Sequence, residues 1–130
     1  MRTIKIYCKE CETELTPELV EILESDLCWN GKQDIIPKTN FSIFINRKSY
    51  KKTIMVAIDN YNLDDHPDII RFQGCCGSSG MDGLNKLCMN GHEVATEFSD
   101  CWTGDYIEFE INNVILKEKI DDVAYKEFKF

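Results

Sequence analysis

Residues 41 to 58 read FSIFINRKSYKKTIMVAI. Two runs dense in β-branched and aromatic residues, 41–46 and 53–58, flank a polar segment that carries Arg47, Lys48, Lys51 and Lys52. Such side chains pack well on a pleated surface, so the pattern predicts an antiparallel hairpin. Its basic tip reads as a solvated loop that also blunts a sheet edge.

Working outward, residues 94–98 and 106–111 predict a second hairpin. The period of two places Ile107, Phe109 and Ile111 inward and Tyr106, Glu108 and Glu110 outward. Residues 3–7 alternate Ile4 and Ile6 with polar neighbours, a half-buried strand, and 69–72 form a short apolar strand. Thr16-Pro17-Glu18 before Leu19, Val20, Ile22 and Leu23 has a capping threonine, a proline at the first helical position and an acid in the first turn, which predicts a short helix. The tail, 114–130, reads as a strand followed by a short helix. Trp29-Asn30-Gly31 and Ile36-Pro37 are turn signals. The expected fold is a single α+β domain over residues 1–130, mostly antiparallel sheet of five to seven strands, with one or two short helices.

The 130 residues are long enough to bury a core, and 43% hydrophobic with 29% charged is a globular composition. A formal charge of −8 argues against direct nucleic-acid binding, because phosphates repel such a surface. It favours a basic partner. The first residues, MRTIKIYCKE, lack the apolar core of a signal peptide, and no later run is long enough to span a bilayer. The expected location is therefore cytoplasmic. There, seven cysteines, an odd count, suggest metal ligation or buried thiols before disulfides.

Cys8-Lys9-Glu10-Cys11 follows the first strand, and the two-residue spacer lets both thiolates face one ion. The stretch 74–102, GCCGSSGMDGLNKLCMNGHEVATEFSDCW, holds four of the seven cysteines and one of the two histidines. Its glycine-rich part shows no regular period, and a run of that length needs something to tie it down. Soft ligands along it suggest a metal, zinc first of all. Cys8 and Cys11 supply two ligands, and Cys75, Cys76, Cys88, His92 and Cys101 are candidates for the others. The preferred shell is Cys8, Cys11, Cys76 and Cys88, with Cys75, His92 and Cys101 as alternates. Neighbouring Cys75 and Cys76 would point to opposite sides of an extended chain, so only one is expected to bind.

Strand-Cys-x-x-Cys, Gly74-Cys75-Cys76-Gly77, Asp82-Gly83-x-Asn85, Cys88 and the run from Glu93 through Asp100-Cys101-Trp102 together resemble a group of short, uncharacterised bacterial proteins. In that group the middle cysteine is often followed by another Cys-Gly pair, where this chain has Asn90-Gly91 and His92 as a possible stand-in. The resemblance implies a bacterial origin and a metal, but no activity.

Two catalytic arrangements were weighed against simpler roles. Cys75 or Cys76 with His92 and Asp100 has the residue types of a nucleophile, base and orienter, although nothing in the sequence brings them together. Asp64, Asp65, His66 and Asp68 offer hard-cation ligands but read more simply as a turn. No catalytic residue is assigned. The expected function is an acidic protein-binding module stabilised by zinc, in its most concrete form an immunity-type inhibitor of a bacterial toxin, with Tyr106, Glu108 and Glu110 meeting the basic partner. The alternative is a small zinc- or thiol-dependent enzyme, or a metal-handling protein, using residues 75–101.

Overall fold

The alternating pattern at the start of the chain forms strand β1 (Thr3–Cys8), with Ile4, Ile6 and Cys8 buried and the residues between them half-exposed. The computed structural model describes residues 1–29, 35–46 and 48–130; the Asn30-Gly31 turn and Arg47 lie outside the described residues. The other strands are β2 (Leu19–Glu21), β3 (Asn40–Ile45), β4 (Lys52–Val56), β5 (Asp64–Asp65), β6 (Lys86–Leu87), β7 (Glu93–Phe98), β8 (Tyr106–Phe109), β9 (Val114–Lys119) and β10 (Tyr125–Phe128). They form one ten-stranded sheet in the order β10-β9-β1-β2-β3-β4-β8-β7-β6-β5.

Both expected hairpins form. β3 pairs antiparallel with β4, Phe41 opposite Val56 and Ile45 opposite Lys52, and β7 pairs with β8, Ala95 opposite Phe109 and Phe98 opposite Tyr106. The sheet is covered on both faces, because alternate residues of β4 and β8 enter different cores. Ile54, Val56, Ile107 and Phe109 join Ile4, Ile6, Phe41 and Val94 in the larger cluster. Met55, Ala57 and Tyr106 join Leu27, Ile35, Ile36 and Phe44 in the smaller. A strand buried on both faces shows a near-continuous apolar run instead of clean alternation.

The α+β expectation is overturned. The described residues contain ten strands and no α-helix, only 3-10 turns at Glu24–Asp26, Ile69–Phe72 and Ile111–Asn113. Where the first helix was expected, Val20 pairs with Thr3 of β1 and, in parallel, with Asn40 of β3. The Thr16 hydroxyl does not cap a helix. It is buried and accepts a hydrogen bond from the Ile6 N–H at 3.3 Å. A four-residue apolar cluster is too short to repay helix nucleation once two flanking strands offer backbone partners.

In the tail, β10 folds back antiparallel on β9, and the expected second helix is replaced by a turn in which the Asp121 carboxylate accepts the N–H groups of Val123 (2.9 Å) and Ala124 (2.8 Å). Residues 69–72, expected as a strand, form a 3-10 turn because the Asp68 side chain caps the Ile70 N–H at 3.2 Å. No helix among the described residues is long and apolar enough to cross a membrane.

The sheet curls. β1 and β7 stand five places apart in strand order, yet Ile4, Ile6 and Cys8 share one core with Cys88, Val94 and Ala95. Two hydrogen bonds through Asn113 bridge the gap beside that core: Lys9 N–H donates to Asn113 O (3.0 Å), and the Asn113 side chain donates to Glu93 O (2.9 Å).

Candidate metal centre

Cys8 is the last residue of β1, and its place in the alternation sends its thiol into the larger core. The chain then turns back at once. Glu12 N–H donates to Cys8 O (2.8 Å), Cys8 N–H donates to Thr13 O (2.9 Å), and Glu12 takes a left-handed φ of +58°. This tight turn brings Cys11 alongside Cys8. A matching turn follows β6: Cys88 N–H donates to His92 O (2.8 Å) and Gly91 N–H to Cys88 O (3.0 Å). Gly91, at φ +86°, supplies a conformation that L-residues rarely adopt, and so His92 returns beside Cys88.

The two turns meet. Cys11 Sγ lies 3.7 Å from Cys88 Sγ, Cys8 Sγ lies 3.7 Å from His92 Nδ1, and Cys88 Sγ lies 3.2 Å from His92 Nδ1. All four donor atoms fall within 4.8 Å of one another. A tetrahedral zinc ion with its usual bond lengths requires edges of about 3.8 Å between two sulfurs and about 3.6 Å between sulfur and nitrogen. These three edges are within a few tenths of an ångström of those figures, so these residues can hold a metal ion with little rearrangement.

Hydrogen-bond donors and burial act differently on these sulfurs. The N–H groups of Asn90 and His92 both donate to Cys88 Sγ at 3.4 Å. The hydrogen bond between Cys11 Sγ and the Thr13 hydroxyl, at 3.1 Å, is the largest influence drawing the Cys11 thiol down to about 5, while burial pushes Cys8 up to about 11. Two neighbouring thiols held so far apart in acidity form a pair that a cation would ionise together, since a bound metal deprotonates the thiols that ligate it.

No protein-family model, curated protein or solved structure matches the chain.

Of the shell preferred from sequence, the fold brings Cys8, Cys11 and Cys88 together and puts His92 in the fourth place. Cys76 is elsewhere. Its loop packs on residues 99–100 instead of on the Cys8 turn, and Cys75, Cys76 and Cys101 make a separate exposed cluster. The nucleophile–base–orienter arrangement does not assemble, because His92 is engaged with Cys8 and Cys88 while Asp100 accepts the backbone N–H groups of Cys75 and Cys76, each at 3.1 Å.

Asp64, Asp65, His66 and Asp68 are not drawn around a common point among the described residues. Asp65 pairs with Lys86, His66 Nδ1 accepts from Asp68 N–H (3.0 Å), and Asp68 caps the next turn.

Tyr106, expected to face outward, is 8% exposed. Its ring stacks on Phe98 with centroids 4.6 Å apart and meets Phe44 and Trp29 edge-on. The face assigned to solvent is the second core, so Tyr106 is not a free anchor. Glu108 is half-buried and accepts from the Asn46 amide at 3.1 Å, and burial raises its carboxyl above the usual range. Glu110 bonds to the Asn112 side chain at 3.2 Å. Tyr106 and Glu108 do line a groove of about 530 Å³ together with Trp29, Phe98 and Trp102. No local pattern signals this groove, because its walls come from strands and loops that only the tertiary fold brings together.

Proposed function

We propose that the chain is an acidic binding protein whose curled sheet is held shut by one zinc ion on Cys8, Cys11, Cys88 and His92. The observation that carries the metal part is the convergence of four soft donors at edges close to those of a zinc tetrahedron. Three thiolates and one imidazole suit zinc above the hard cations, and a shell of four protein ligands leaves no open position, which is the arrangement of a structural ion. The ion would join residues 77 to 84 positions apart, at the turns that follow β1 and β6, two strands that do not pair.

The binding part rests on the charge of −8, which attracts a basic protein and speeds its encounter. Its most concrete form is an immunity-type inhibitor working in the cytoplasm of a bacterium, covering the basic cleft of a toxin. The groove containing Glu108, Trp29 and Trp102 is the surface to which such a contact is assigned. Metal analysis of untagged, reduced protein tests the first part, and less than about half an equivalent of zinc at the buried shell would refute it. A pull-down from the native host in low and high salt tests the second. Recovery of a basic polypeptide whose activity the protein suppresses supports it, whereas thiol- or metal-dependent turnover without a partner would favour the enzyme alternative.

A further inference from the structure

The glycine-rich stretch, 74–80, is ordered by one side chain that the buried metal shell does not use. Asp100 is 4% exposed, and its carboxylate accepts the backbone N–H groups of Cys75 (3.1 Å), Cys76 (3.1 Å) and Cys101 (2.7 Å). One carboxylate thus fixes the backbone at three cysteines drawn from two segments of the chain. Ser78 O accepts from the N–H groups of Ser99 (2.9 Å) and Asp100 (3.1 Å), which locks the segments together. They approach so closely that a Cβ on Gly74 would lie 2.6 Å from Asp100 Oδ2, and one on Gly77 would lie 2.4 Å from Ser99 O. Glycine at these positions is what the close approach requires.

The outcome is a convergence that an extended chain would forbid. Side chains of adjacent residues splay to opposite sides of a strand, yet Cys75 and Cys76 both lie with Cys101, the three sulfurs within 4.8 Å of one another and Cys76 Sγ 2.9 Å from Cys101 Sγ. All three thiols are exposed.

We propose that Cys75, Cys76 and Cys101 form a second metal site, open to solvent, for a thiophilic d10 cation, Zn2+ or Cu+. Once Cys76 and Cys101 part from 2.9 Å to the roughly 3.8 Å that a shared ion requires, three thiolates complete a trigonal shell for Cu+, whereas Zn2+ would keep a fourth position for water or an incoming ligand. Without a cation, three thiolates beside the Asp100 carboxylate would repel one another, and the bound charge removes that repulsion. The exposure of all three ligands permits exchange, in contrast to the buried shell at Cys8 and Cys88. This site suits an ion that is taken up and passed on, and it stands whether or not the buried shell carries zinc.

The test uses full-length reduced protein, titrated in one arm with Zn2+ alone and in the other with Cu+ supplied as its acetonitrile complex. The quantity read is the number of equivalents lost by the Cys76→Ser/Cys101→Ser double variant relative to wild type. A loss of one equivalent in either arm supports the proposal, and the arm identifies the ion. No loss in both arms overturns it. Because the exposed Trp102 follows Cys101 directly, its emission should change on loading in wild type and not in the variant.

Peptide-mapped alkylation of wild type gives a check that needs no variant. With metal at a hundred times its Kd about 1% of sites are free, so modification of Cys75, Cys76 and Cys101 should slow about a hundredfold. Unchanged alkylation rates, or loss of two of these thiols to a disulfide with no metal taken up, would overturn the proposal.

Discussion

Removing the zinc proposed for the buried shell should destabilise the fold by an amount the chain geometry sets. Cys8 and His92 are 84 positions apart, so a metal that binds both closes a loop of that length in the unfolded chain's reckoning. By the loop-entropy relation for cross-links, such a closure is worth about 4.5 kcal/mol at room temperature. Metal at a thousand times its Kd gives a similar figure through mass action, about 4 kcal/mol. For an m-value of about 2 kcal/mol/M the urea midpoint should fall by about 2 M on chelation. The corresponding drop in Tm for a chain of this length is roughly 15 °C. The assay is urea unfolding of reduced protein followed by Trp29 and Trp102 fluorescence, with zinc in excess and then with a strong chelator. Cys28→Ser, a thiol outside both clusters, should show the same chelator effect as wild type, and Cys88→Ser should show none. If chelation moves the wild-type midpoint by less than about 0.5 M, no ion is tying the sheet.

The carboxyl of Glu108 has its pKa raised, chiefly by burial. The folded state therefore holds that proton more tightly than the unfolded state, and stability falls as pH rises from the ordinary carboxylate range through the raised value. Glu108→Gln should accordingly gain in urea midpoint over wild type near neutral pH, with the gain vanishing once the pH is below the unfolded value; a difference that stays constant across pH would count against burial as the cause. Asn85, fully buried, donates to Arg71 O (3.1 Å), Ser78 Oγ (3.0 Å) and Glu97 O (3.2 Å) and accepts from Glu97 N–H (2.6 Å). Asn85→Ala should cost about 2 to 3 kcal/mol and speed proteolysis between residues 71 and 80, and a loss within about 0.5 kcal/mol would show the network to be dispensable. Gly80 has φ +73°, and a Cβ there would sit 2.2 Å from Phe98 Cε1. Gly80→Ala should lower the thermal midpoint and disturb the Phe98–Tyr106 stack, so an unchanged near-ultraviolet spectrum with an unchanged Tm would refute the packing described here.

The hairpins could be read from sequence because their pattern is local. Residues 41–45 and 52–56 carry β-branched and aromatic side chains on both sides of a polar tip, and no distant contact is needed to make them pair. The segment around Leu19 and Val20 was different. Thr16, Pro17 and Glu18 satisfy every local rule for a helix start, yet the backbone partners that win are Thr3 and Asn40, which only the tertiary fold supplies. The same holds for the tail, where β10 exists because β9 presents an edge to it. Nor could the alternation around Tyr106 show that its second face would be roofed by Leu27, Ile35 and Ile36.

At the candidate metal centre, the two-residue spacing was enough to put Cys8 beside Cys11, whereas the partners that Cys88 and His92 supply depend on the tertiary fold. The choice between Cys76 and His92 was not a matter of donor chemistry, since thiolate and imidazole both suit zinc. Two backbone features bring His92, and not Cys76, to the other three donors. Gly91 turns the chain so that His92 closes back on Cys88, and Asp100 draws the Cys76 backbone towards Cys101. One carboxylate thereby keeps the two thiol clusters apart. Its removal offers a direct check of that division: Asp100→Ala frees three N–H groups and should release Cys75, Cys76 and Cys101 from one another. Metal held by Cys8, Cys11, Cys88 and His92 should be unaffected, because none of those residues bonds to Asp100 among the described contacts. Measured as metal retained after dialysis against a weak chelator, the variant should match wild type at the buried shell, and loss of that ion as well would mean that the two clusters are one coupled unit.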